Sequence, residues 1–319
     1  MTELEVRRAN ESDLGEVLAL LRDAMHRSDD ERFTELFRWK HLSNAFGASP
    51  AWVAVDGDRI VAVRYLMRWE FERNGEVVRA VRAVDTATHP EYQGRGLFRK
   101  LTLGAIEDLS REGVDFIFNT PNDQSRPGYL KMGWQLVGVV PVPSRPLSVR
   151  GLMKMANARV AAEHFSLPVT CADPAATLLA DHATILEILQ RRPVTAKLRT
   201  RLTPDVLQWR YGGELLTYRA LATSDGLAIF RFRRRGPARE LAIALLLSPT
   251  ESGTKRLARA VVRAARGNAD YAVAIGAAPL ASFVPVPKAG PTLVWRSLND
   301  NKFPQLDDWA LTLGDIELF

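Results

Sequence analysis

Residues 84–99 read Val-Asp-Thr-Ala-Thr-His-Pro-Glu-Tyr-Gln-Gly-Arg-Gly-Leu-Phe-Arg, a strand end that passes through two glycines straight into a helix. A loop of this kind aims several free backbone N–H groups at one point. The helix N-terminus adds a partial positive charge, and together they suit a pyrophosphate. Gly94 and Gly96 carry no Cβ, so the backbone can come close to a ligand. Taken alone, Gly-x-Gly serves equally well as a tight strand-to-helix turn with no ligand.

A second segment lies downstream: Asn122, then Tyr129-Leu-Lys-Met-Gly133-Trp134. The two segments together resemble the GNAT superfamily of N-acyltransferases. Its signature is Gln/Arg-x-x-Gly-x-Gly/Ala after a strand that ends near a proline, followed by an Asn and, further on, Tyr-x-x-x-Gly-aromatic. Gln93 to Leu97 fit the first part, and Phe98 stands where the family has a small residue. The resemblance implies an α/β fold with a mixed sheet and acetyl-CoA as cosubstrate. It implies that Thr86, Ala87 and Thr88 offer backbone groups to the pantetheine arm, as an added strand would. Gln93, Gly94, Arg95, Gly96, Leu97, Phe98 and Arg99 would hold the pyrophosphate, and Asn122 would contact the arm near the thiol. Tyr129 would act as general acid toward the departing thiolate. The acceptor would be the amine of a small molecule or of a protein.

The base is open. Alternation along the strand before the loop puts Ala80, Arg82 and Val84 on one face and Arg79, Val81, Ala83 and Asp85 on the other. Arg82 stays protonated, so it is no base; it either holds an anionic acceptor or is a solvated surface arginine. Asp85 is a candidate base, and an expected β-bulge nearby leaves its direction open. The chain is also similar to multidomain GNAT proteins of the enhanced-intracellular-survival type, which join an active domain to a degenerate one and use the terminal carboxylate as base. That makes Phe319 the second candidate. The chain is shorter than those proteins, with no room for a sterol-carrier-like domain.

These residues need elements to position them. Residues 3–8 alternate as a strand. Asn10 or Ser12 can cap a helix whose Leu14, Val17, Leu18 and Leu21 fall at helical spacing. Residues 30–42 predict a second helix. Strands follow from Ala51, from Arg59 and from Val77, the last pair joined at Arg73-Asn74-Gly75. A helix over 96–111, a strand over 115–119, a short helix over 126–132 and a strand over 135–140 complete a mixed sheet with helices on both faces. Three prolines in 141–149 mark a domain edge, which gives a catalytic domain over 1–145 and a second over 146–319. In the second, helices are expected over 151–165 and 173–192. From Leu215 to Ile275 the strand-strand-strand-helix-strand order returns without a glycine loop. This is a degenerate, tandem GNAT-like domain, expected to shape the acceptor pocket.

The chain of 319 residues fits two domains at roughly 100–200 residues each. No apolar run is long enough to span a bilayer and the first residues are no secretory signal, so no membrane is expected and the cytoplasm is the simplest location. Cys171 is the single cysteine, which rules out an internal disulfide and a multi-cysteine zinc site, and no metal is expected. The net charge of +6 is spread thinly. Its densest cluster, Arg231, Arg233, Arg234 and Arg235 before Gly236-Pro237, reads as a charged hairpin tip rather than a nucleic-acid arm, so no nucleic-acid partner is expected. The leading reading is an N-acetyltransferase. A catalytically silent CoA-binding module and a transferase of aminoacyl or longer acyl groups are the alternatives.

Overall fold

The computed structural model describes residues 4–24, 32–276, 282–285, 290–299 and 302–317. The chain divides into two compact units. The first holds Met1–Phe71, Glu76–Gly138 and Thr292–Leu306, and the second Glu72–Gly75, Val139–Pro291 and Asp307–Phe319.

In the first unit, β1 (Glu5–Arg8) leads to a capping box. The Asn10 side chain accepts from the Ser12 N–H at 2.9 Å, and the Asp13 carboxylate accepts from the Asn10 N–H at 2.7 Å. Of the two cap candidates it is thus Asn10 that starts the helical segment, which continues as α1 (Leu14–Ala24). Then come α2 (Phe33–His41), β2 (Ala51–Asp56), β3 (Arg59–Arg73) and β4 (Glu76–Thr88). Asn74 and Gly75, both at positive φ, make the β3–β4 hairpin tip, the geometry in which an Asn-Gly pair suits the twist of the flanking strands. α3 (Leu97–Arg111), β5 (Phe116–Asn119), α4 (Arg126–Lys131) and β6 (Gln135–Val139) follow.

The sheet runs β1-β2-β3-β4-β5, then a strand from far along the chain, Thr292–Ser297, then β6. β4 and β5 are parallel, joined by α3. Thr292–Ser297 is antiparallel to β5, with Val294 opposite Asn119 and Ser297 opposite Phe116. β3 is buried almost throughout, and Arg64 and Arg68 are the charges that interrupt its apolar middle. Leu97, Leu101, Ala105 and Leu109 of α3 pack on Val81, Ala83, Ile117 and Val294 of the sheet in one core.

The expected boundary at 145/146 moves to Gly138/Val139. Pro143–Pro146 is a strand of the second sheet, where Ser144 and Arg145 pair with Val273 and Ala272. Prolines at both ends of this strand leave the N–H groups between them free to pair, which composition alone hides. In the second unit, Arg219–Thr223, Gly226–Arg235 and Ala238–Leu247 form an antiparallel meander. A helix, Glu251–Ala264, then crosses to Tyr271–Ala274, parallel to the third strand. This is the order of β2-β3-β4-α3-β5. The helices expected over 151–165 and 173–192 are shorter: Val149–Asn157, then Ala175–Leu179 and His182–Gln190, separated where Asp181 caps the second. Arg231 and Arg233 are not part of a charged tip. They turn inward and pair with Glu317, Arg233 with Glu240 also. No described helix is long and apolar enough to cross a membrane.

Because Thr292–Ser297 supplies an inner strand, a fragment ending at Val139 leaves one edge of β5 unpaired and Val294 missing from the core. Such a fragment is expected to aggregate, and fusing residues 292–306 to it is expected to restore a cooperative thermal transition. A monomeric fragment with the same cooperative transition and near-ultraviolet dichroism as the fused form would contradict this.

Candidate active site: a cleft at the splayed end of the first sheet

The parallel register between β4 and β5 runs from Ala80–Phe116 to Arg82–Phe118 and stops there, while β4 continues to Thr88. The two strands therefore splay, and the end of β4 has no β5 neighbour. At the splay Asp85 takes a φ of 30°, a left-handed conformation that costs a non-glycine residue about 1–3 kcal/mol. Its side chain, 10% exposed, is held there by Lys40 Nζ and His41 Nε2, each 2.5 Å from Oδ2. Burial opposes the Asp85 charge, but Lys40 and the His41 hydrogen bond outweigh it and hold the carboxyl well below its ordinary range. Burial pushes His41 down to about 4, against the attraction of Asp85. His41 is thus neutral at pH 7 and donates its Nε2–H to the carboxylate.

The expectation that Asp85 could be the general base is not met by this geometry. A carboxylate stabilised by a buried ammonium is a weak proton acceptor. Its position instead bends the strand that feeds the cleft. Arg82, the candidate acceptor ligand, is neither a surface side chain nor a cleft residue. It is 1% exposed, its guanidinium lies 5.7 Å from the Phe118 ring centre, and it donates to Thr120 Oγ1 at 3.2 Å. The Phe319 carboxylate lies outside the described residues.

The splay opens a cavity of about 740 Å³. Thr86, Thr88, Gln93, Gly94, Gly96, Leu97, Phe98 and Asn122 all line it, joined by Tyr92, Gln124, Ser125 and Gly128, which sequence reasoning did not single out. Ala87 points the other way, into the core at 4% exposure, as alternation requires. Arg95 and Arg99 are exposed, with Arg95 4.6 Å from the Tyr92 ring centre and donating to the Glu91 carbonyl at 3.0 Å. Gln93 ties the loop to the strand by donating to the Thr88 carbonyl at 3.3 Å. The Asn122 side-chain oxygen accepts from Ser125 N–H and Oγ, both at 2.9 Å, and so closes the turn that leads into α4.

Gly94 and Gly96 sit at φ values of 75° and 74°, and a Cβ on either would meet nothing within 4 Å. These glycines therefore serve backbone conformation, not tight packing against protein, and leave open space over the loop. Gly96 is also the N-cap of α3. No side chain caps this helix, and its first turn has no acid. A helix start without protein partners is a place where free N–H groups and the helix dipole can meet an anion. The corresponding helix of the second unit is closed in this respect. Thr250 Oγ1 accepts from the Gly253 N–H at 3.1 Å, and Glu251 places a negative charge in the first turn.

Tyr129 stands behind the wall made by Phe98 and Gly128. It is 3% exposed, its ring centre 5.3 Å from those of Phe98 and of Trp134. Phe98, the departure from the family signature, is accommodated by Gly128, where a Cβ would come within 3.3 Å of its ring. Gly133 ends α4 at a φ of 92°. Two residues that the sequence reading passed over also belong here. Arg64 of β3 donates to the Tyr129 hydroxyl, and His41 of α2 holds Asp85. The signal for Arg64 was a lone arginine inside the apolar run Ile60–Met67. Among the described residues no His, Cys, Asp and Glu side chains gather to hold a metal ion.

Residues 5–137 match the family model described as an acetyltransferase (GNAT) domain. No curated protein matches the chain. Among solved structures it is similar to a conserved protein of unknown function from Enterococcus faecalis V583, described as a probable N-acyltransferase, at 14% identity and a TM-score of 0.65. The match covers 93% of this chain and 73% of the other. A GCN5-related N-acetyltransferase from Anabaena variabilis gives 14% identity, a TM-score of 0.64 and the same coverage, 93% and 73%. Eis1 from Mycobacterium abscessus gives 12%, 0.57, and coverage of 93% and 74%. At these identities the likeness is one of fold, and it extends over both units.

The histidine and the aspartate both have depressed folded values, so the unfolded chain binds their protons more readily. Their stabilisation is complete above the unfolded values, about 6.5 and 3.9, and is lost as pH falls from there through the lower folded values. The His41 share amounts to about 3 kcal/mol and fades between about pH 6.5 and about pH 4. The denaturant midpoint should therefore drop between about pH 7 and about pH 4.5, and His41→Gln should flatten that drop. An unchanged slope in the variant would remove His41 from this role. Asp85→Asn, which strands buried Lys40, should cost about 3 kcal/mol at neutral pH.

Proposed function

We propose that the first unit, a GNAT acetyltransferase domain, moves an acetyl group from acetyl-CoA to a primary amine by direct attack. The observation that carries this reading is the uncapped, acid-free start of α3 beside a strand end that has no β5 neighbour. The exposed edge of β4 from Thr86 to Thr88 offers backbone groups to an extended, amide-bearing arm in the manner of an added strand. The Gly94–Arg99 turn suits the pyrophosphate, with Arg95 and Arg99 exposed on it. Asn122 lies across the cleft where the arm would end, its Oδ1 already engaged, so that its NH₂ is the group it can offer.

The amine nitrogen then attacks the thioester carbonyl carbon, the C–S bond breaks, and the electron pair leaves on sulfur. Tyr129 supplies the proton that makes the departing group a thiol. The attacking amine loses its proton to water, because Asp85 is already neutralised by Lys40. Most of the acceleration in this scheme comes from holding both reactants in line and polarising the carbonyl. A second reading, a CoA-binding module without turnover, draws on the burial of Tyr129 and on Asp85 being spent in an ion pair.

Calorimetric titration with acetyl-CoA, CoA and ATP, followed by a thiol-release screen over polyamines, amino sugars and a lysine peptide, tests the proposal. Acetyl-CoA and CoA should bind and ATP should not. Gly96→Glu, which adds strain at positive φ and a like charge beside the phosphates, should abolish binding; retained affinity would mean the loop is not the phosphate site. Tyr129→Phe should lower kcat about 100-fold with acetyl-CoA affinity within about threefold. An unchanged kcat would take the acid role from Tyr129. Binding without thiol release for any amine would leave the module reading.

A further inference from the structure

Arg64 is among the largest fully buried side chains of the chain, at 1% exposure. Its Nη2 donates to the Tyr129 hydroxyl, and its guanidinium lies 5.3 Å from the Phe98 ring centre and 5.4 Å from that of Tyr129. Its Nε has no partner. Among the described residues no carboxylate comes within ion-pair range of it. A buried cation without a counter-charge is costly unless the site uses it.

The hydrogen-bond inventory makes the arrangement directional. A guanidinium has five donors and no acceptor, so in this contact the phenol oxygen can only accept. The single phenol proton must therefore point elsewhere, and among the described residues no protein group accepts it. Tyr129 is thus a buried donor with its proton unspent, beside a buried positive charge with no anion.

We propose that Arg64 is a positioning residue for Tyr129: it turns the phenol proton away from the core and supports the negative charge left when that proton goes to the sulfur of the departing thiolate. The inference rests on the acid role proposed for Tyr129. In the step, the C–S electron pair becomes a lone pair on sulfur, the Tyr129 O–H proton transfers to it, and a phenolate remains against the guanidinium. The amine's proton passes to water, and water returns one to the phenolate, so charge and protons balance over the cycle. Arg64 exchanges no proton, since a guanidinium stays charged. The ring centres of Phe98 and Tyr129 are 5.3 Å apart and lie 5.3 and 5.4 Å from the guanidinium carbon, so both rings stand on the same side of Arg64 and each adds a cation–π attraction. This gives Phe98 a use: its ring is a second aromatic neighbour of the buried guanidinium.

The test is a double-mutant cycle on thiol release from acetyl-CoA, read with the best amine of the screen and, without amine, as basal thioester hydrolysis. Arg64→Gln should lower kcat about 30-fold with the KM for acetyl-CoA within about threefold, and Arg64→Lys, which keeps the charge, should recover part of the loss. In a Tyr129→Phe background, Arg64→Gln should change kcat less than about twofold, because the group it serves is gone. Equal losses in both backgrounds, or an Arg64→Gln enzyme with unchanged kcat, would overturn the proposal while leaving the Tyr129 reading intact. If Tyr129→Phe alone leaves kcat unchanged, or the wild type releases no thiol, the acid or the enzyme reading fails first and this one with it. Should Arg64→Gln lose its cooperative thermal transition, Arg64→Lys carries the cycle instead: loss of kcat in the wild-type background but not in the Tyr129→Phe background supports the proposal, and equal loss overturns it.

Discussion

The buried ion pair at Asp85 is the constraint on which the cleft depends. A non-glycine residue at positive φ inside a strand persists only where its surroundings impose it. Here Lys40 and His41 of α2 grip the carboxylate, at 2.5 Å each. The strand turns at that residue, the parallel pairing with β5 has already ended at Arg82, and the end of β4, open on the β5 side, runs into the turn that starts α3. Removing a charge from water at this depth is expensive, and the arrangement holds because ammonium, imidazole and carboxylate satisfy one another. Asp85 is thus a structural anchor whose charge is already spent on Lys40 and His41.

The two units offer an internal comparison. Both place a helix after the third strand of a meander and return to a short parallel strand. They differ at the helix start. In the first, Gly96 at positive φ leaves the N–H groups uncapped and the turn free of acid. In the second, Thr250 caps the helix and Glu251 follows it. Capping of this kind satisfies a donor and is worth about 1 kcal/mol. A helix start left without it forgoes that stability and keeps its donors available, so the same topology leaves one helix start open and closes the other. The buried charges of the second unit go into its own core, where Arg231 and Arg233 meet Glu317 and Glu240.

Much of the cleft was legible in the order of residues because its parts are local. The loop from Gln93 to Phe98, the Asn122 that closes the turn before α4, and Gly133 at the end of that helix each act within a few positions of themselves, where backbone sterics and capping depend on residue type. The strands of the first unit were legible too, since each carries its own apolar pattern and its own turn signal. Phe98 looked like a defect in a signature. It is accommodated because Gly128, from the next segment, has no side chain to meet it.

The sequence by itself determined the glycine loop, the Asn–Tyr–Gly–Trp series, the element order of both units and the missing loop in the second. Tertiary structure decided what lies far apart in the chain. Arg64 meets Tyr129, Lys40 and His41 meet Asp85, Arg82 is buried beside Phe118, and Thr292–Ser297 enters the first sheet. Periodicity and capping are set by near neighbours. The pairing of buried charges and the choice of strand neighbours are set by which groups the folded core brings within a few ångströms, and no spacing along the chain encodes that.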